Sequence, residues 1–233
     1  MTMKPFEPLE PFEGKVGIMP DSFNQIVLLE DIPGSECEKR ALEVALAGGY
    51  SIAFLCNEGS MAQKLMKAGM RLAGQIPVPF HGLAYPWCPC GNYGSPKIEC
   101  RCSARKIGAH LSKLGKRIND FTIWMGASVP LARHMNIKGE CEPVILKRIQ
   151  AARLAPEPDD SINQSCRELL DMVVNQYISI DIARVKAIAK TIARMEGRDK
   201  IDVQHLSEAI QYQPQVQHGF QEWIKPSAIA VKS

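Results

Sequence analysis

The sequence has no long hydrophobic run and carries little net charge. Hydrophobic residues make up 45% of the 233 positions, yet no stretch approaches the roughly 20 apolar residues that a membrane helix requires. Residues 1–20 contain acidic side chains and prolines and lack the apolar centre of a secretory signal. A formal net charge of +3 does not argue for nucleic-acid binding unless the positive charge is clustered. These absences predict a cytoplasmic globular protein, without membrane association, whose unpaired cysteines are reduced.

Cysteine, in contrast, is concentrated in one window. Residues 88–102 hold two Cys-x-Cys pairs, Cys88 with Cys90 and Cys100 with Cys102, separated by nine residues rich in Gly, Pro, Asn and Ser. Such residues form turns, so the second pair can return to the first and place four sulfurs around one ion. Four thiolates in a tetrahedron are a ligand set of structural zinc. The window predicts a structural zinc site, with unliganded thiols or a disulfide or redox pair as the alternatives.

The surroundings of this window and the other cysteines carry weaker signals. Lys97 and Arg101 lie beside the four cysteines and would offset part of the negative charge of zinc-bound thiolates. His205 lies at a predicted helix start, where we expect it to pack or cap. Four further cysteines are isolated in the sequence, and we predict that they are buried as small hydrophobic residues: Cys37, Cys56, Cys141 and Cys166.

The first half of the chain predicts a small α/β core over residues 24–155. Ser35 and Glu38 form a capping-box pattern that opens a helix over residues 35–48, and Gly49 ends it. A buried strand (51–56), a glycine-containing turn and a helix (61–72) follow, which is the local layout of a nucleotide-binding core. The hydrophobic pattern further predicts strands over 80–85 and 121–125 and helices over 103–118 and 141–154.

The second half predicts a bundle of three short helices over residues 161–213. The Pro- and Asp-rich segment 155–160 reads as a linker. Helices are predicted over 161–176 and 182–195, and Asp202 caps a third. Residues 1–23 are predicted to form an irregular arm, and the polar tail, from Gln213 through residues 214–233, to be extended. The predicted fold class is therefore α+β and α-rich.

Three segments of the chain resemble the magnesium-chelatase-like AAA+ ATPases of the ComM/YifB type. The first is residues 31–55, with KRALE at 39–43 and AGGY at 47–50. The second is the cysteine window, with CPCG at 88–91 and CRC at 100–102. The third is residues 187–212, with AKTIA at 189–193 and HLSEAIQY at 205–212. Together they cover about two thirds of the chain in the order that the family has. The resemblance implies a truncated AAA+-like α/β core with an inserted four-cysteine loop, then a helical lid bundle that packs against other subunits.

The catalytic motifs of that family are degenerate here. A P-loop requires G-x-x-x-x-G-K-[ST], whose glycines, lysine and hydroxyl bind phosphate and Mg²⁺. The matching stretch is residues 56–63, where Met61 replaces a glycine, Ala62 the lysine and Gln63 the hydroxyl residue. No apolar run ending in Asp-Glu, which would hold the metal, occurs between Gly74 and Cys88.

These departures argue against ATP hydrolysis and against bound ATP with Mg²⁺. The sensor-1, arginine-finger and sensor-2 positions of the family correspond to Pro86, Phe121 and Ile180. What remains of a nucleotide site is a degenerate set of four positions, of which Lys64 lies one residue after the lysine position of the motif: Gly59, Ser60, Lys64 and Arg184. A scaffold turn without ligand is the alternative.

Positive charge is clustered around the cysteine window and the helix after it. Such a cluster predicts a phosphate-backbone contact surface, with a solvated helix face as the alternative. Its members are Lys97, Arg101, Arg105, Lys106, Lys113, Lys116 and Arg117.

Three functional hypotheses follow from the sequence. The first is a ComM-like AAA+ family protein without ATPase motifs that acts as a binding or assembly module with a protein partner or with itself. The second is a zinc-containing nucleic-acid-binding protein that uses the basic helix after the cysteine window. The third is residual ATP binding or hydrolysis. Catalytic residues are not predicted for any site.

Overall fold

A computed structural model describes residues 26–57, 60–95, 97–115, 117–127, 129–130, 134, 136–159, 161–177 and 180–217. Within these residues, seven α-helices and three strands confirm the α-rich α+β fold. In chain order they are α1 (Glu36–Gly48), β1 (Ile52–Cys56), α2 (Ala62–Gln75), β2 (Gly82–Pro86), α3 (Ala104–Gly115), β3 (Ile123–Ala127), α4 (Glu142–Leu154), α5 (Gln164–Gln176), α6 (Ile182–Met195) and α7 (Val203–Gln211). None of the described helices is long and apolar enough to cross a membrane.

The three strands form a parallel sheet with β1 in the centre, in the order β2-β1-β3. Ile52 of β1 aligns with Gly82 of β2 and with Ile123 of β3. Four of the five β1 residues are buried, as expected of a central parallel strand covered on both faces. Because all three strands run in the same direction, the turns that follow them meet at one edge, the carboxyl edge of the sheet.

The two faces of the sheet pack against different hydrophobic clusters. Ile52 and Phe54 point into a large core, whereas the alternate residues Ala53 and Leu55 point into a small cluster. Helix α2 packs in the large core, and α3 packs in the small cluster on the other face. The connections that leave the neighbouring strands β1 and β2 therefore turn to opposite faces.

The large core joins the sheet to the C-terminal helices. Buried residues of α1, α4, α5, α6 and α7 all belong to it. Polar contacts link the same elements: Arg40 of α1 pairs with Glu208 of α7 at 2.9 Å, and the Tyr50 hydroxyl donates to the Ala187 carbonyl at 2.9 Å. The division into a 24–155 core and a 161–213 bundle stays a prediction, and both parts contribute to one hydrophobic core.

The outer edge of β3 is covered by the segment that follows α7. The Trp124 amide donates to the Tyr212 carbonyl at 2.9 Å, and the Gly126 amide donates to Oε1 of Gln217 at 2.8 Å. Nε2 of Gln217 donates back to the Trp124 carbonyl at 3.0 Å. The prediction of an extended tail from Gln213 is wrong for residues 213–217, because this segment turns back to satisfy the strand edge. The predicted tail beyond residue 217 and the 1–23 arm lie outside the described residues.

Helix ends show where local sequence rules succeeded and failed. Asp202 caps α7 in a full capping box in which His205 accepts from the Asp202 amide, which confirms the capping role of His205. The capping box predicted at Ser35 is wrong: Ser35 has a φ of 58° and makes no side-chain cap. Burial was also predicted wrongly for Cys37 and Cys141, which are exposed at the start of α1 and before α4.

Candidate metal centre

The cysteine window lies at the carboxyl edge of the sheet, directly after β2. Open α/β sheets bind ligands at this edge, between neighbouring strands whose connections leave on opposite faces. Strands β1 and β2 are such a pair. The Trp87 amide, just past β2, donates to the Cys56 carbonyl at the end of β1 at 2.9 Å, which fixes the start of the window against the central strand.

The four cysteines of the window converge on one point. The sulfurs of Cys88, Cys90, Cys100 and Cys102 all lie within 4.8 Å of one another. Cys88 is 3.3 Å from Cys90 and 3.6 Å from Cys100, and Cys90 is 3.6 Å from Cys100. A tetrahedral ion with metal–sulfur bonds of about 2.3 Å has sulfurs about 3.8 Å apart. A disulfide would need about 2.0 Å. The arrangement fits a metal ion, and the four sulfurs are not paired as disulfides.

Backbone amides of the loop point at the sulfurs. The Tyr93 amide donates to the sulfur of Cys88 at 3.3 Å, and the Cys102 amide donates to that of Cys100 at 3.4 Å. Such contacts favour the thiolate over the thiol, and thiolates are the form that binds metal.

Without an ion the thiols compete with one another for protons. The pKa of Cys90 is lowered to about 7, first because the Asn92 amide donates to its sulfur and then because Cys88 does. The pKa of Cys100 is raised to about 12: the Cys102 amide favours its thiolate, but burial and the neighbouring Cys88 and Cys90 outweigh that contact. A divalent cation among the sulfurs would remove this competition, because it stabilises every thiolate at once.

The centre is continuous with the small hydrophobic cluster. Cys88 is fully buried and belongs to that cluster, and Cys100 and Cys102 pack against its edge. Ser103 follows immediately, and its hydroxyl accepts from the Lys106 amide at 3.4 Å at the start of α3. The second cysteine pair therefore leads directly into the helix that covers this face of the sheet.

The described residues of the predicted basic surface lie on the cysteine loop, along α3 and just after it. Its residues on the loop and on α3 are exposed, and none of them forms an ion pair within the described part of the chain: Lys97, Arg101, Arg105, Lys106 and Lys113. Arg117 differs, because it pairs with Asp120 at 2.9 Å and lies over the ring of Phe121. Lys116 lies outside the described residues. Between residues 88 and 117 the sequence has one acidic residue, the exposed Glu99.

The three described positions of the degenerate nucleotide site do not converge. Ser60 lies in the turn after β1, at the carboxyl edge, and Lys64 is exposed on α2. Arg184 donates to the Phe121 carbonyl at 3.4 Å, just before β3 begins, and so lies at the opposite edge of the sheet. Five-residue strands separate these two edges by about 16 Å. Gly59 lies outside the described residues.

Sequence reasoning missed two contacts of this region. Asn57, the first residue after β1, donates through its side chain to the Gly94 carbonyl of the cysteine loop at 3.0 Å. His110 of α3 stacks on Tyr85 with ring centroids 4.6 Å apart, and its Nε2 lies 2.9 Å from the Pro86 carbonyl. The one local sign of the Asn57 contact in the sequence was an asparagine directly after a buried strand. The partners themselves are 24 to 37 residues away in the sequence, which no local pattern reveals.

A separate cavity of about 660 Å³ lies before the start of α1. Gly34, Cys37, His134 and Lys138 are among its lining residues, and none of the predicted site residues is. Of the sites predicted from the sequence, the thiol cluster is therefore the one whose residues lie close together in the described part of the chain.

No protein-family model matches the chain, and no curated protein matches it.

Proposed function

We propose that this chain is a non-catalytic binding or assembly module stabilised by a structural zinc ion. In this proposal it is a degenerate, truncated relative of the magnesium-chelatase-like AAA+ proteins that resides in the reducing cytoplasm, where its thiols stay available to metal. The central strand–turn–helix unit, the thiol loop after the next strand and the C-terminal helices support this proposal, because they follow the order that the sequence resemblance requires.

The single observation that carries the proposal is the convergence of four thiols within 4.8 Å at the carboxyl edge of the sheet. Zinc accepts this ligand set and geometry, and four protein ligands leave no open position for substrate. The turn after β1 offers no lysine to phosphate, and Arg184 lies at the other edge of the sheet. Zinc in this centre would stabilise the fold and carry out no reaction.

Nucleotide addition tests the non-catalytic part. We expect no change in melting temperature with millimolar ATP and Mg²⁺, because a ligand that binds the folded state raises it. A nucleotide-dependent rise would instead favour the residual ATPase hypothesis.

Exposed apolar side chains on the C-terminal helices support a protein partner or self-association. Met172 and Val174 of α5 are 58% and 52% exposed, and Leu154 at the end of α4 is 88% exposed. Sedimentation of the purified protein tests self-association directly. A concentration-dependent oligomer that Met172→Lys with Val174→Lys converts to monomer is the expected result, and a monomer at every concentration would leave only a different protein as partner.

A second candidate function, nucleic-acid binding, rests on the unpaired cations of the loop and α3. Five exposed cations with one acidic neighbour form a surface of one sign, which phosphate backbones favour. The test is a salt-dependent mobility shift with DNA or RNA that disappears in a triple variant, Arg105→Glu, Lys106→Glu and Lys113→Glu. The matched control carries the same charge change on other elements: Lys64→Glu, Lys147→Glu and Arg167→Glu, all at exposed positions. Equal binding by both variants would contradict this function.

A further inference from the structure

Asn57, at the end of the central strand, makes a side-chain contact with the cysteine loop. It is the first residue after the central strand β1, and only 9% of its surface is exposed. Its Nδ2 donates to the Gly94 carbonyl, on the far side of the first cysteine pair, at 3.0 Å.

The other half of the Asn57 amide is unsatisfied. Its Oδ1 is buried and has no hydrogen-bond partner among the residues that the structure describes. A buried polar atom without a partner costs about 1–3 kcal/mol. An apolar residue would fill this place without that cost, so burial alone does not account for an asparagine here. The donor half of the amide, which holds Gly94, is what distinguishes asparagine from such a residue.

Asn57 completes a clamp on the first half of the cysteine loop. At one end of residues 87–94, the Trp87 amide donates to the Cys56 carbonyl at 2.9 Å. At the other end, Asn57 holds Gly94, which has a φ of +75°. Between the two ends lie Cys88, Cys90 and the Tyr93 amide that donates to the sulfur of Cys88. Two consecutive residues at the end of β1 therefore fix both ends of the segment that carries the first cysteine pair.

We propose that Asn57 is a positioning residue of the metal centre, which holds Cys88 and Cys90 in metal-binding geometry through the Gly94 carbonyl. The turn after β1, where the sequence resemblance would place phosphate, instead supports the metal loop. This inference rests on the proposed function, because it takes the thiol cluster to be a metal site. Residues outside the direct ligands commonly change metal affinity by about 10–100-fold when they are replaced.

The test compares metal retention by Asn57→Ala and Asn57→Asp with that of the wild type. Aspartate keeps the shape of asparagine but, when ionised, has no hydrogen to donate to Gly94. Gln63→Ala is the matched control, because Gln63 is an exposed side chain just after the same turn. Each protein is loaded with zinc, and its loss to excess chelator is followed over time. Cobalt-loaded samples report the ligand set through their thiolate-to-metal absorption.

Both Asn57 variants are expected to hold one ion per chain and to keep the four-thiolate cobalt spectrum, while losing zinc about 10–100 times faster than the wild type and Gln63→Ala. Unchanged loss rates in the two Asn57 variants would overturn the inference while leaving the metal site intact. A cobalt spectrum that loses thiolate character in the Asn57 variants but not in Gln63→Ala would also support the inference, since Cys88 or Cys90 would then have left the metal. If Asn57→Ala fails to fold, Asn57→Asp decides. A wild type that binds no metal would instead refute the proposed function.

Discussion

The two faces of the sheet are stabilised in different ways. On one face, β1 contributes Ile52 and Phe54 to a core that also takes in six helices. On the other face, Ala53 and Leu55 belong to a smaller cluster to which α3 is the one contributing helix among the described residues. This cluster includes Cys88 and borders Cys100 and Cys102. Buried apolar area is the main source of stability in folded proteins, and the first face has far more of it. If the proposed metal ion is bound, it would supply stability that the hydrophobic contacts of the second face do not.

The loop composition explains this dependence. Residues 91–99 are glycine, proline and polar residues with one aromatic and one isoleucine, and Tyr93 and Ile98 are both exposed. A segment of this kind buries too little apolar surface to offset the entropy of ordering its backbone. In the proposed metal-bound form, the ion would supply the missing free energy, as it does in small zinc domains.

Metal removal is expected to affect the most residues at once, and it should act on one face of the sheet only. After chelation, we expect amides of the cysteine loop and α3 to exchange with solvent more than about 100 times faster, which corresponds to ~2.7 kcal/mol of local stability. Amides of α6, whose apolar side lies in the large core, should keep their protection. Hydrogen exchange with and without chelator measures both. A uniform change over the whole chain would contradict the difference between the faces.

Core truncations on the two faces should respond differently to metal. Phe54→Ala is expected to lower the free energy of unfolding by about 3–5 kcal/mol with or without metal, because Phe54 is fully buried in the large core. Leu111→Ala on α3 is expected to lower it by about 2–5 kcal/mol in the metal-bound protein. In the metal-free protein its effect should approach zero, because α3 is already open. Urea denaturation of the four states measures these differences, and equal Leu111→Ala losses in both forms would contradict them.

An ion pair beside the large core predicts a pH-dependent effect. Arg148 donates to Glu43 at 2.8 Å and to Glu140 at 2.6 Å. Burial raises the pKa of Glu43, and Arg148 opposes that rise. Arg148→Met should therefore raise the pKa further and destabilise the protein by about 1–3 kcal/mol at pH 8, because the Glu43 carboxylate loses its hydrogen bonds from Arg148.

The sign of this pH dependence follows from linkage. A carboxyl whose folded pKa lies above its unfolded value binds its proton more tightly in the folded state, so stability falls as pH rises through the folded pKa. The loss caused by Arg148→Met should be smaller near pH 5 than at pH 8. Lys147→Met, at an exposed position on the same helix, is the control. Melting curves at the two pH values test this, and a larger loss at pH 5 would contradict the assignment.

The smallest expected effect concerns the edge of β3. Gln217→Ala removes the side chain that accepts from the Gly126 amide and donates to the Trp124 carbonyl. We expect a loss of about 1–2 kcal/mol, since each net hydrogen bond contributes about 0.5–1.5 kcal/mol. Gln211→Ala, an exposed position at the end of α7, should change the stability much less. Equal denaturation midpoints for Gln217→Ala and the wild type would show that water satisfies the Gly126 amide and the Trp124 carbonyl as well as Gln217 does.

The sequence predicted those features that local patterns encode. The helix predicted over 182–195 has the same bounds as α6, because its apolar residues recur with helical period and Asp181 and Gly197 flank it. The cysteine window also predicted its own convergence, since the two pairs and the turn between them lie within 15 residues.

Local patterns could not predict features that depend on residues far away in the sequence. The Ser35 pattern predicts a cap, yet Ser35 adopts a left-handed conformation and makes no side-chain cap. Gln217 reads as part of a polar tail because the strand that it satisfies is 91 residues away. Asn57 likewise reveals its role only through Gly94, which the fold brings to the end of β1.

Metal content of the purified protein tests the central claim most directly. Elemental analysis of the wild type is expected to find about one zinc ion per chain, and Cys100→Ser is expected to lose it, because three thiolates and water bind zinc more weakly than four thiolates. A folded wild-type protein without metal would contradict the account. So would zinc retained in full by Cys100→Ser, since the ion would then lie outside the four-cysteine centre.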